Sequence, residues 1–346
     1  MRDALLSIII TNYNYATYIG AAIASALAVD WPRVEIIVVD DGSTDGSRDV
    51  INQFVPRGIL PIFLANGGQA KAAVQGFRHS RGDWIIFLDS DDMLDPSVVR
   101  QAVKVMRPGW SMIQFQMQVI DGVGRPLNRV FPKFRAGTTP ESIRRWAART
   151  GAYPTPPNSG NLLSRSFLSQ IFPFAEEMDR WVDSYFVATA PFLGDVLTVE
   201  KPLVYYRVHG QNDGAQATLD VGKIARDLRR HIVRTGYATR IAKAHGIDVA
   251  PDCWRYSLYN LGMRVASLRL ASAQHPIPHD TKLRCMRDVA LSLFRGQGFS
   301  PLHRAALAIW ICGVALGPRQ LAHMLVSWRF ALYSRPQVIE WLKAAG

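Results

Sequence analysis

Three carboxylates within four residues are the first feature of this chain that could do chemistry. Asp89-Ser90-Asp91-Asp92 follows directly after the apolar run Trp84–Leu88. Carboxylates this close raise each other's pKa, and a divalent cation relieves their repulsion because hard cations prefer oxygen ligands. We expect Asp89 and Asp91 to project to the same side of an extended segment and to reach one ion or its bound phosphate. A solvated turn with helix-capping aspartates is the structural alternative.

Polar groups also follow three other apolar runs. Asp40-Asp41 ends the run Glu35–Val39, Thr11-Asn12-Tyr13-Asn14 ends the first run, and Asn66-Gly67-Gly68-Gln69 follows a short one. The carboxyl ends of parallel strands lie along one edge, where α/β sheets bind ligands. After Asn66, backbone N–H groups and a helix N-terminus could face an anion. This edge could therefore bind a base, a ribose, a diphosphate and a metal together.

The elements that must position these groups alternate between strand-like and helical patterns over the first 110 residues. That order predicts an α/β fold, with a mainly parallel sheet sandwiched by helices. Ile113–Val119 instead alternates apolar residues with three glutamines, which predicts a half-exposed strand. From about residue 218, helical spacing dominates.

Several protein classes are disfavoured by what the sequence lacks. No G-x-G-x-x-G follows the first strand and no G-x-x-x-x-G-K-[ST] occurs, which argues against dinucleotide oxidoreductases and P-loop enzymes. Three scattered cysteines indicate a reducing compartment and no disulfide framework. The first residues contain no cleavage site, so we expect no secretion signal. From about residue 218 onward the longest uncharged run is Ala305–Pro318, which is too short for a spanning helix, since such a helix needs roughly 20 residues.

Residues 5–95 resemble the nucleotide-sugar binding half of family 2 glycosyltransferases, which have the GT-A fold. Four blocks in order carry the resemblance: SIIITNYNYATYI, EIIVVDDGSTDGS, NGGQAKAAVQGF and RGDWIIFLDSDDMLDP. It continues more weakly to about residue 213 through NLLSRSFL, WVDSYF and YYRVHGQND. We therefore expect a GT-A catalytic domain at 1–215, with a nucleotide-sugar half at 1–110 and an acceptor half at 111–215. A basic, mainly helical region, 216–346, would follow.

The resemblance implies a role for individual residues of the donor site. Thr11 and Tyr13 match the pair that contacts the nucleotide, with Tyr13 stacking on the base. Asp41 matches the carboxylate that accepts from the pyrimidine ring N–H. Asp91 would bind the metal on the diphosphate, and Asp89 would lie near the ribose and the metal shell. The other residues that we expect to contact the donor are Asn66, Gln69, Lys71 and Ser90.

Two further residues match the family's catalytic machinery. Asp183 falls where the family has its acceptor-activating base, and Asp179, one helical turn earlier, is its rival for that role. His209 matches a histidine near the diphosphate or metal, as a third ligand beside Asp89 and Asp91. The expected cofactor is Mg²⁺ or Mn²⁺.

The function implied is metal-dependent, inverting transfer of a hexose-type sugar from a nucleoside diphosphate, UDP by expectation. The acceptor would be a saccharide or a lipid-linked glycan near Asn158–Asn161 and Asp183, as in cell-surface polysaccharide synthesis. One alternative is a sugar-phosphate nucleotidyltransferase, although that class has a Gly-rich signature where this chain reads TNYNYATY. A GT-A-like binding protein without activity is the other.

Net charge divides the chain. The total is +12, yet residues 216–346 hold 19 basic and 7 acidic side chains, while residues 1–215 hold 21 of each. Arginine and tryptophan around a short apolar helix are typical of a segment in a membrane interface. We expect a cytoplasmic protein, peripheral at the inner face of the membrane, with helical packing on the catalytic domain as the alternative. A nucleic-acid partner is not expected, and the pattern does not indicate an oligomeric state.

Overall fold

The chain forms two compact units in its structure, which is a computed structural model. The first comprises residues 1–144 and 154–208, and the second comprises residues 145–153 and 209–346. The structure describes residues 4–135, 137–172, 182–209, 218–294 and 300–331, with the backbone alone at 182 and 183. The expected domain boundary between 215 and 216 lies outside these described residues.

The described part of the first unit is an α/β layer structure around a nine-stranded sheet. Its strands are β1 (Leu6–Asn12), β2 (Val34–Asp40), β3 (Leu60–Phe63), β4 (Trp84–Asp89), β5 (Met93–Leu94), β6 (Trp110–Ile120), β7 (Pro126–Phe131), β8 (Asn161–Ser164) and β9 (Asp195–Arg207). Its helices are α1 (Ala16–Leu27), α2 (Ser47–Phe54), α3 (Gln69–His79), α4 (Val98–Val103), the first half of α5 (Pro140–Thr150), α6 (Arg165–Ile171) and α7 (Val182–Leu193).

The strand order, β3-β2-β1-β4-β8-β6-β9-β5, places parallel and mixed pairing in different halves of the sheet. The strands β3, β2, β1 and β4 are parallel neighbours. The strand β8 runs antiparallel to both β4 and β6, and β9 runs parallel to β6. The carboxyl ends of β1, β2, β4, β6 and β9 therefore lie on one edge.

Helices on both faces explain the continuous apolar runs. On one side of β1, Ile8 and Ile10 share a core with Ile19 and Ile23 of α1. On the other side, Gly76 of α3 lies so close to Ile9 that a Cβ there would come within 2.3 Å of its side chain. Because both faces are covered, every residue of β1 is buried, as expected for a parallel strand.

The expectation of a half-exposed strand at Ile113–Val119 is wrong. This segment is β6, which has neighbours on both sides and is buried along most of its length. Its glutamines donate hydrogen bonds within the fold: Gln114 is fully buried and donates to Thr198 Oγ1 at 2.9 Å, and Gln116 donates to the Pro132 carbonyl. Alternating polarity here reflects internal hydrogen bonding rather than solvent exposure.

The described part of the second unit is helical. Its helices are the second half of α5, then α8 (Val221–Ala244), α9 (Leu258–Leu270), α10 (Lys282–Phe294), α11 (Pro301–Leu316) and α12 (Arg319–Phe330). The central element is α9, which packs against α8, α10, α11 and α12. Residues of all five helices form one apolar core. Among the described residues, no helix is long and apolar enough to cross a membrane.

A buried ion network joins α9 to α10 and the loop before it. Arg264 is 2% exposed and donates to both Asp280 and Asp288. Arg255 also donates to Asp288. Burial alone would raise the pKa of Asp280, but hydrogen bonds from Arg264 and His275 outweigh it and hold that pKa well below its ordinary value. The Asp280–Arg264 pair is therefore charged at neutral pH, and the network fixes α10 on α9.

Replacing Arg264 tests this network. We expect Arg264→Met to destabilise the second unit by about 3–5 kcal/mol, because it removes the cation that both buried carboxylates share. Arg226→Met is the matched control, since the Arg226–Asp220 pair is largely exposed and should contribute less than about 1 kcal/mol. The measurement is chemical denaturation at neutral pH, and equal losses in the two variants would contradict the account.

Candidate active site

The carboxyl edge of the sheet brings together the polar strand ends that the sequence predicts. In the β1–β2 register Asn12 pairs with Asp40, and in the β1–β4 register Thr11 pairs with Asp89. Thr11 is buried at this edge, whereas Tyr13, just beyond it, is 40% exposed. The edge therefore combines a row of acidic groups with one accessible aromatic ring.

Asp40 is a structural member of this row. It is fully buried and accepts hydrogen bonds from Asn12 Nδ2 at 2.9 Å and the Ser43 amide at 3.1 Å. Arg48 of α2 donates to it at 3.0 Å. These donors satisfy the carboxylate within the protein, and they fix the turn that carries Asp41.

Asp41 is held by the loop before α3. Its two carboxylate oxygens accept from the amides of Gly67 at 2.8 Å and Gly68 at 2.7 Å. The predicted anion for these amides is thus supplied by the protein's own carboxylate. Gly42 permits the approach, since its φ is +77° and a Cβ there would lie 2.6 Å from the Asn66 nitrogen. Each oxygen of Asp41 keeps a second lone pair for another donor.

The remaining predicted donor contacts in this loop differ in exposure. Asn66 donates to the Asp41 carbonyl at 3.0 Å and is itself exposed. Lys71, in the first turn of α3, is exposed and lies against Gly67. Gln69 is half-buried and donates through Nε2 to Asp89 Oδ1 at 3.0 Å. The buried Oε1 atom of Gln69 has no hydrogen-bond partner within the described ranges.

Asp89 is also held by the segment before β8. Asn158 Nδ2 donates to Asp89 Oδ1 at 3.0 Å, and Ser159 Oγ accepts from the Asp89 amide at 3.0 Å. Both residues are buried. The stretch Asn158–Asn161, which the sequence associates with the acceptor, thus makes contact with the acidic strand end.

The chain turns immediately after Asp89, so the expectation of an extended Asp89–Asp91 segment is wrong. The Asp92 amide donates to the Asp89 carbonyl at 3.0 Å, which places the buried Ser90 and the half-buried Asp91 within a turn. Burial of Asp92, together with the charges of Asp91 and Asp89, raises its pKa well above the usual value.

Arg207 is the site residue that sequence reasoning missed. It is 4% exposed at the end of β9, and its amide donates to Asp92 Oδ1 at 3.0 Å. Its Nε donates to the Asp91 carbonyl at 2.9 Å, and its Nη1 donates to two carbonyls after β6. The guanidinium also lies over the Tyr18 ring, at 5.2 Å from the centroid. A single arginine in the apolar strand Leu203–Val208 was the available signal.

The structure describes the residues predicted for catalysis and metal binding only in part. Asp183 is the second residue of α7, where the structure describes the backbone alone, and Asp179 lies outside the described residues. His209 is half-buried and belongs to the second unit. Within the described part of the chain, no group of three or more His, Cys, Asp or Glu side chains is placed to hold a metal. The roles of these residues remain predictions.

Comparison with known proteins agrees with this geometry. The model of the family described as Glycosyl transferase family 2 matches residues 7–172. An uncharacterized glycosyltransferase of Nostoc sp. is 34% identical over 253 residues, covering 68% of this chain and 78% of that protein. TuaG of Bacillus subtilis, a putative teichuronic acid biosynthesis glycosyltransferase, is 31% identical over 131 residues, covering 36% of this chain and 51% of TuaG.

A solved structure shares the fold over nearly the whole chain. Staphylococcus aureus TarS 1-349 in complex with UDP-GlcNAc has a TM-score of 0.56 and 14% sequence identity, covering 94% of this chain and 91% of that one. The mixed α/β sheet, its helical layers and the helical C-terminal region are thus those of a GT-A glycosyltransferase. The strand-end carboxylates, the family model and the long alignment with the Nostoc protein make this chain a member of glycosyltransferase family 2.

Proposed function

We propose that this glycosyltransferase moves a hexose-type sugar from UDP to a saccharide or lipid-linked glycan, with inversion and with Mg²⁺ or Mn²⁺. Its setting would be cell-surface polysaccharide synthesis at the cytoplasmic face of the membrane. The observation that carries the proposal is the pair Asp41 and Asp89, each oriented by donors from other segments at one sheet edge. Two related proteins support a UDP-sugar donor and a cell-surface polymer as acceptor: TuaG, described as a teichuronic acid biosynthesis glycosyltransferase, and TarS, whose structure was solved with UDP-GlcNAc.

The nucleoside would bind along the ends of β1, β2 and β4. Tyr13 is accessible enough to stack on the base, and Asp41 would accept the uracil ring N–H. The two glycine amides hold the Asp41 carboxylate in place for that contact. Buried and without a partner among the described residues, Gln69 Oε1 would accept from a ribose hydroxyl beside Asp89. Thr11, Asn66, Lys71 and Ser90 would complete the donor contacts.

The acidic turn fits a divalent cation. Burial, together with the charges of Asp91 and Asp89, raises the pKa of neighbouring Asp92. Mg²⁺ in nucleotide sites is held by one or two carboxylates, with substrate phosphates and water as its other ligands, so a larger set of protein ligands is not required. Asp91 and Asp89 are the residues that would hold it, and the role of His209 stays a prediction from the family resemblance. When bound, the cation stabilises negative charge on the departing diphosphate.

Transfer itself needs a base on the acceptor side. Asp183 would accept the proton of the acceptor hydroxyl while that oxygen attacks the anomeric carbon. The bond from the anomeric carbon to the diphosphate oxygen breaks in the same step, and the electron pair leaves with UDP. One displacement inverts the anomeric configuration, and no covalent intermediate with the protein is formed.

The base assignment is tested by two matched carboxamides. We expect Asp183→Asn to lower kcat about 100- to 10,000-fold, the usual range for losing a general base, with donor affinity unchanged. Asp179→Asn should keep near-normal turnover. The measurement is transfer of labelled sugar to a cell-envelope glycolipid extract. Full turnover in Asp183→Asn, or a larger loss in Asp179→Asn, would reassign the base.

The metal assignment is tested by donor binding rather than by turnover. Mn²⁺ should increase the thermal stabilisation given by a UDP-sugar, and Asp91→Asn should weaken the apparent Mn²⁺ affinity more than about tenfold. Asp49→Asn, which changes an exposed carboxylate on α2, is the control and should behave as wild type. Donor binding that ignores both chelation and Asp91→Asn would contradict the assignment.

Arg207 should act as a positioning residue for the acidic turn. Arg207→Lys keeps the charge but cannot reproduce donation to Asp91, Asp121 and Gly122 at once. We expect it to remain folded, with a weaker Mn²⁺ dependence of donor binding and a KM for the UDP-sugar raised about tenfold. A variant with a lower melting temperature but an unchanged Mn²⁺ dependence would show that the role is purely structural.

A further inference from the structure

We propose that the outer face of α11, together with the outer face of α10, is a docking surface for an anionic lipid bilayer. This docking face consists of Leu302, Ile309 and Leu316 of α11 with Leu283, Leu291 and Phe294 of α10. The inference deepens the proposed function, because a lipid-linked acceptor would be met at a membrane. It is carried by the exposure, the chemistry and the charge of these two helices.

The helix α11 is apolar on two opposite sides. Ile311, Val314 and Ala315 are fully buried in the core of the second unit. On the other side, Leu302, Ile309 and Leu316 are 81%, 72% and 70% exposed. A spacing of seven residues is two helical turns, so these three side chains form one stripe. Helices that are apolar all round are normally buried, and here one side is left to the surroundings.

The neighbouring helix extends this stripe into a patch. Arg304 of α11 donates to the Leu293 carbonyl of α10 at 2.7 Å, and Cys312 approaches Met286 at 3.8 Å, so the two helices pack antiparallel. On α10, Leu283 and Phe294 are 81% and 88% exposed. Contiguous exposed apolar area of this kind marks an interaction surface, unlike single exposed leucines.

The charge around the docking face indicates the charge of the surface that it binds. Residues 282–294 and 300–331 contain six Lys and Arg side chains and one carboxylate, Asp288. That carboxylate is fully buried and is contacted by Arg255 and Arg264. The exposed surface of α10, α11 and α12 is therefore cationic and apolar within the described residues. An anionic bilayer satisfies both properties, because its headgroups attract cations and its acyl boundary takes up leucine and phenylalanine.

The dimensions favour a helix that lies in the surface plane. The 16 residues of α11 are about 24 Å long at 1.5 Å per residue, and a spanning helix needs roughly 20 residues. One side of α11 is also committed to the protein core. Only the outer side is available to enter the headgroup region, as in interfacial amphipathic helices.

Vesicle co-sedimentation of the full chain tests the proposal. Wild type should bind vesicles of equal parts phosphatidylglycerol and phosphatidylcholine, bind pure phosphatidylcholine weakly, and lose binding as salt is raised. The double variant Leu302→Glu, Ile309→Glu should bind the anionic vesicles at least about tenfold more weakly, because each exposed leucine or isoleucine contributes on that scale when buried. Both positions are exposed and glutamate is a good helix former, so the fold should be kept.

The control is Leu127→Glu, which places the same charge on an exposed position of β7 in the first unit. It should bind vesicles as wild type does. Undiminished vesicle binding by the double variant would overturn the proposal. So would a wild-type dimer that ignores vesicles and dissociates in the double variant, since the face would then bind a second copy. Thermal stabilisation by UDP-sugars, measured on the same samples, reports separately on the proposed function.

Discussion

Negative charge gathered at one edge of the sheet is the constraint on which the rest of the catalytic unit depends. Asp40, Asp41, Asp89, Asp91 and Asp92 all lie at the ends of β2 and β4. Like charges this close repel one another, and burial together with the charges of Asp91 and Asp89 raises the pKa of Asp92. They are tolerated because the carboxylates of Asp40, Asp41, Asp89 and Asp92 accept hydrogen bonds from other parts of the chain. The same excess of acidic oxygen makes the edge suitable for a cation and for the hydroxyl and N–H groups of a nucleotide.

The donors come from segments far apart in sequence, so the site requires the whole sheet. Arg48 of α2 pairs with Asp40, and the amides before α3 bind Asp41. Asn158, Ser159 and Arg207 reach the Asp89–Asp92 turn from the second half of the sheet. The strands β8 and β9 thus determine the geometry of the acidic groups that β4 presents. A change in β8 or β9 should therefore alter the geometry of the acidic turn after β4.

The local sequence pattern was sufficient to predict where most helices and strands lie and that acidic residues follow the strands. The proline start and helical spacing of residues 140–150 are local signals that predict a helix, and α5 has these bounds. The parallel order of β1, β2 and β4 follows from their apolar runs, and this order alone brings Thr11, Asp41 and Asp89 to one edge. The family resemblance, and not the pattern, supplied the individual roles.

The local pattern could not predict the hydrogen bonds between residues that are far apart in sequence. From the sequence alone Gln114 is predicted to face solvent, whereas in the structure it donates a hydrogen bond to Thr198. From the sequence, Arg207 is an ordinary strand residue; only the strand pairing in the sheet places it beside the acidic turn, where it donates to the Asp91 carbonyl. Asn158 likewise lies in a predicted loop, and only the folded chain places it against Asp89. The turn at Ser90 likewise depends on the Asp92–Arg207 contact. Each of these facts rests on a partner at least 69 residues away.

We propose that Asp41, at this edge of the sheet, recognises the uracil of the donor nucleotide. Calorimetric titration of UDP and CDP into wild type and Asp41→Asn tests it most directly, because uracil presents an N–H where cytosine presents an acceptor. The account predicts that wild type binds UDP at least about tenfold more tightly than CDP, since a carboxylate facing an acceptor is left unpaired. Asp41→Asn should remove most of that preference. Equal affinity for UDP and CDP in wild type, or a preference unchanged in Asp41→Asn, would contradict the account.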